Sequence, residues 1–180
     1  MPPVKKAAKS AASKHTPQED AAKDTRRAYE HLGRVEVLHA SLDHAATEIT
    51  QLTELAQQRL NAGHGRDAAD LLRAAEHLSF GALSSPKKDA GIERELLDAI
   101  TKEFDHKLDK AEEHWSKDEE HHAMVELVYE AVTGRARKAF DAGAYRKALE
   151  LARGAEALAH VPSRGVKQLS AAATQHQLTN

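Results

Sequence analysis

LNAGHGRDAADLLRAAEHL (60–78) and FDAGAYRKALELARGAEAL (140–158) align without a gap at an offset of 80 residues. Nine positions are identical: Ala62/Ala142, Gly63/Gly143, Arg66/Arg146, Ala68/Ala148, Leu71/Leu151, Arg73/Arg153, Ala75/Ala155, Glu76/Glu156 and Leu78/Leu158. Both stretches have apolar residues three and four apart behind a glycine, the pattern of an amphipathic helix entered from a tight turn. A repeat at fixed offset means one supersecondary unit present twice.

Working outward, each copy is preceded by a long helical pattern. Val35, Leu38, Leu42, Ala45, Ile49, Leu52 and Ala56 alternate spacings of three and four, which predicts one continuous seam. Upstream, Ala28, Leu32 and Val35 carry the stripe with a slip near Gly33, where a bend is plausible. Thr16, Pro17 and Glu19 form a helix-start signature. In the second half Ile100, Phe104, Leu108, Ala111, Trp115, Val125, Tyr129, Val132, Ala136 and Phe140 share one stripe. A helix from about 92 to 142 is expected there unless something breaks it. Tyr29, Trp115 and Tyr129 sit on these stripes and read as core.

The expected fold is all-α, an elongated helical bundle or array of two related long-helix/short-helix hairpins. The divisions are a disordered basic tail (1–15), hairpin repeat 1 (16–83), a loop (84–91), hairpin repeat 2 (92–162) and a flexible C-terminal tail (163–180). Composition agrees. Ala fills 34 of 180 positions and Leu 19, with few aromatic residues, which favours helices over sheets and gives a thin core. Without Cys there is no disulfide, thiolate metal site or Cys nucleophile. No apolar run approaches the roughly 20 residues of a membrane helix, and no secretory signal opens the chain. A cytoplasmic location is expected. There is no P-loop, dinucleotide fingerprint, His-Glu-x-x-His or Gly-x-Ser-x-Gly.

The hairpin resembles the tetratricopeptide repeat. That family places small residues where its helices cross, an order matched by Ala136, Gly143, Tyr145, Ala148 and Ala155, and by Ala56, Gly63, Gly65, Ala68 and Ala75. The unit of 80 residues departs from the family's repeat of about 34. The usual closing proline is missing in the first copy and displaced to Pro162 in the second. The resemblance implies a non-enzymatic protein-binding scaffold. Long helices outrunning short ones imply a homodimer. The expected partner is thus a protein, with no membrane, and nucleic acid only at the four lysines of the tail. Charge is uneven: residues 92–120 hold 11 acids and five bases, residues 134–153 six bases and two acids. The two could pair with each other.

Two other readings stand beside the scaffold. Of 12 His, four lie in the acidic stretch 103–122. On one helix His114, Asp118 and His121 would share a face. Asp118 and His122 would interrupt the apolar stripe, where an unsatisfied polar pair is costly. His114, Asp118, His121 and His122 are therefore the candidate ligands of a divalent metal such as zinc, the one cofactor considered. Glu36/His39, Glu103/His106 and Glu119/His122 fit the Glu-x-x-His spacing of ferritin-like di-iron bundles. The hairpins also look like the higher-eukaryote and prokaryote nucleotide-binding (HEPN) family, whose ribonucleases carry Arg, four to six residues, then His. Arg26/His31, Arg34/His39, Arg59/His64 and Arg153/His160 fit that spacing, with Arg153/His160 preferred. The resemblance implies His as general base and Arg as phosphate holder.

Overall fold

Thr16 caps the first helix as its chemistry dictates. Its hydroxyl accepts from the Glu19 N–H at 3.3 Å, and the Glu19 carboxylate accepts from the Thr16 N–H at 2.7 Å. The computed structural model describes residues 16–42, 47–117 and 122–161, which form six helices. These are α1 (Pro17–His39), α2 (Thr47–Asn61), α3 (Gly65–Leu83), α4 (Arg94–Trp115), α5 (Ala123–Asp141) and α6 (Tyr145–Ala159). The protein is all-α, an array of helices packed on one another.

Both long helices of the sequence reading are broken. α1 ends at His39, where the Ser41 and Leu42 N–H groups turn to carbonyls only three residues back. α4 ends at Trp115, and α5 begins behind the N-cap His122. Burial explains the breaks. α3 has 19 residues and spans about 28 Å, so a continuous helix would run half its seam past it. Folding back lets α1 and α2 both pack on α3, while touching each other little. α4 and α5 likewise both pack on α6. Val35, Ile49, Leu52 and Ala56 are buried as the seam requires, but from two helices. The homodimer expectation rested on two long continuous helices; α1, α2, α4 and α5 have 23, 15, 22 and 19 residues. Ala45 lies outside the described residues.

The fold is thus two three-helix units, α1–α2–α3 and α4–α5–α6, joined through α3 and α6. Those two run antiparallel, as the pairs His77–Glu150 and Arg73–Glu156 show. The turns before them are near-identical. Gly63 and Gly143 adopt φ of 80° and 76°, and the next N–H groups, of His64 and Ala144, reach back five residues at 2.9 Å. That is a left-handed glycine cap. The units differ where Gly65 faces Tyr145 at the same offset. A Cβ on Gly65 would lie 2.6 Å from Thr25 Oγ1, so α1 approaches α3 closely. In the second unit aromatic pairs fill the space between α4 and α5, Phe104 on Phe140 and Trp115 on Tyr129, with centroids 4.3 and 4.0 Å apart. Tyr29 corrects the sequence reading. It is 60% exposed, because α1 packs through Ala28 and Val35 and turns its neighbour outward. No helix among the described residues is long and apolar enough to cross a membrane.

Candidate functional site

Residues four and three apart share one helix face. On α3 that face presents Arg66, Asp70 and Arg73; on α6, at an offset of 80, it presents Arg146, Glu150 and Arg153. Each triplet lines a cleft. The correspondence extends to Ala69 and Leu149, and to His160 and Phe80 from the opposite side, which line the first and second cleft. Equivalent positions therefore build two clefts, and their chemistry differs.

The first, about 420 Å³, lies between α1, α3 and the end of α6. α1 runs parallel to α3 here and adds Asp20, Lys23, Asp24 and Arg27. Its charges are poorly paired. Arg27 reaches Asp24 only at 3.9 Å and Arg73 reaches Glu156 only at 3.8 Å. Arg73 Nε is buried without a hydrogen bond among the described residues. No ion pair there joins the cleft residues of α1 to those of α3. Burial pushes the Asp70 carboxyl up to about 6, against the pull of Arg73, Arg66 and Arg27. Burial, then the charge of His114, lowers the pKa of His160.

The second cleft, about 410 Å³, lies at the other end of the α3–α6 pair. Its arginine is satisfied: Arg153 bonds Glu103 from α4 and Glu150 at 2.5 and 2.7 Å. Burial raises the Glu150 carboxyl, but the His77 ring at 2.8 Å and Arg153 outweigh it and hold the group below its ordinary range. What stays open is apolar. Phe80 is 41% exposed and stands with Leu149 in the cleft, and Leu83 follows one turn on at 44%. Arg146 forms an exposed basic rim without an ion pair among the described residues.

Of the four residues singled out as metal ligands, the structure describes His114 and His122. His114 lies in the last turn of α4; its Nδ1–H donates to the Lys110 carbonyl at 2.8 Å, and its ring lies 4.2 Å from that of His160. His122 caps α5, its Nδ1 accepting from the Met124 N–H at 3.3 Å. Asp118 and His121 lie outside the described residues. The helix on which His114, Asp118 and His121 were expected to share a face ends at Trp115. Among the described residues no three His, Asp or Glu side chains form a metal-binding group. Of the Glu-x-x-His pairs, Glu36/His39 lies between α1 and α2, while Glu103 is held by Arg153.

Arg153 lines the second cleft and His160 the first. Arg59 is buried, 1% exposed, with Nε and Nη1 unbonded among the described residues, while His64 precedes α3. Arg34 and His31 both bind Glu76, and Arg26 pairs with Glu30. The sequence reading missed the Arg66–Asp70–Arg73 face. Its signal was available, since both arginines are identical across the offset and the acids correspond as Asp70 and Glu150. The α1 wall carried no such signal. No protein-family model, curated protein or solved structure matches the chain.

Proposed function

We propose that the protein is a non-enzymatic interaction scaffold, a three-helix unit duplicated by descent, and that it docks a protein partner in the α3–α6 groove. The observation that carries this reading is the open apolar floor of the second cleft, Phe80 and Leu149, beside exposed Leu83. Exposed apolar side chains in a groove with a polar rim are the features that receive an amphipathic helix. The rim is basic through Arg146, on a stretch (134–153) with six bases and two acids. The fitting partner is therefore an apolar helical segment flanked by acidic residues. Docking needs no catalytic group, and both ion-paired neighbours, Glu150 and Arg153, stiffen the groove wall.

Selection from a random helical-peptide display library tests this. Enriched peptides are expected to carry spaced apolar residues and acids. They are expected to bind Phe80→Ser at least about tenfold more weakly, which is about 1.4 kcal/mol. Phe80 is exposed enough for the variant to keep the wild-type melting temperature. Failure to enrich any sequence, or equal affinity for the variant, contradicts the reading.

A further inference from the structure

We propose that the cleft between α1, α3 and the end of α6 is a binding site for a small phosphate monoester, held by Arg66, Arg73 and Arg27. The proposal is independent of the groove at the opposite end of α3 and α6. Its main support is the contrast between the two clefts. Where α6 presents Arg153, α4 sends Glu103 and the helix itself sends Glu150, both within hydrogen-bonding distance. Where α3 presents the equivalent Arg73, the nearest carboxylate is Glu156 at 3.8 Å and Nε is buried without a partner. Arg66 and Arg27 make no side-chain hydrogen bond among the described residues, although Asp20, Asp24 and Asp70 line the same cleft. Facing helices of mixed charge ordinarily close into ion pairs. These stay apart across a gap of about 420 Å³.

The chemistry of the lining selects the ligand. Guanidinium groups present paired N–H donors that match phosphate oxygens, and Lys23 adds a fourth cation. Asp70 stands among the arginines. Its carboxyl, pushed up to about 6 by burial, takes a proton readily and then donates to an anion rather than repelling it. Asp20 and Asp24 on the α1 wall call for hydrogen-bond donors or an ammonium on the rest of the ligand. Ala69 and His160 leave that space open, where the second cleft has the bulkier Leu149 and the apolar Phe80. A doubly charged phosphate ester with a short polar or cationic body fits all of these features.

Calorimetric titration of the tag-free full chain with inorganic phosphate and with phosphoethanolamine tests the assignment. Both probes are expected to bind saturably, phosphoethanolamine more tightly because its ammonium meets Asp20 and Asp24. In Arg66→Gln/Arg73→Gln the affinity is expected to fall at least about tenfold, while Arg146→Gln in the other cleft leaves it unchanged. Should the double variant lose its helical circular dichroism, Arg66→Gln alone serves, since Arg66 is exposed. The proposal is overturned if neither probe saturates, if the Arg66 variant binds as wild type does, or if Arg146→Gln weakens binding equally.

Discussion

At the scale of the residue, burial gives Asp70 a pH-dependent effect on stability. Its folded-state pKa is raised from 3.8 to about 6, so the folded chain holds a proton that the unfolded chain has released. Stability from this group is therefore greatest below about pH 4 and declines as pH rises to about 6, after which the loss is constant. Asp70→Asn removes that loss. The variant is expected to be more stable than wild type by on the order of 2 kcal/mol at pH 7, with the gain vanishing at pH 4. Urea denaturation at both pH values checks it. A gain that does not change with pH would mean that Asp70 is not the titrating group. The proposed phosphate site accounts for this destabilising carboxylate among three arginines, since perturbed carboxyls cluster where ligands are held.

At the scale of the element, two glycines separate backbone effects from packing. Gly33 sits within α1 and Gly63 at the left-handed turn before α3, and a Cβ at either would meet nothing within 4 Å. Gly33→Ala is expected to raise stability by about 0.5–1 kcal/mol. Gly63→Ala is expected to lower it by about 1 kcal/mol, because an L residue at φ 80° is strained. Thermal unfolding of the two variants gives the signs, and a loss at Gly33 would show that α1 needs a bend there. The helix start at Thr16 and the Gly63 and Gly143 turns were legible because each is encoded by residues within one or two turns. The breaks after His39 and Trp115 were not. The apolar spacing runs through the first from Val35 to Ile49, and at the second it resumes at Val125 after the polar Asp118 and His122, so neither fixes where a helix ends. What breaks the helix is packing on α3 and α6, a long-range gain that no local pattern records. The clefts were half legible: the repeat marked their central helices, but which charges from α1 or α4 face them depends on how those helices dock.

At the scale of the whole molecule, the α3–α6 pair is the common wall of both clefts. The antiparallel α3–α6 contact joins the two units, with an Arg135–Glu48 pair at 3.2 Å between α5 and α2 beside it, and the two ends of α3–α6 become the two clefts. At one end the charges are closed with acids from α4 and α6 and an apolar groove is left; at the other they remain open. The measurement that tests the docking account most directly is hydrogen–deuterium exchange of the full chain with a peptide selected against it. The account predicts slowed exchange in segments 77–84 and 146–153, with the first cleft unaffected. Protection confined to α1, α2 or α5, or none at all, would contradict it.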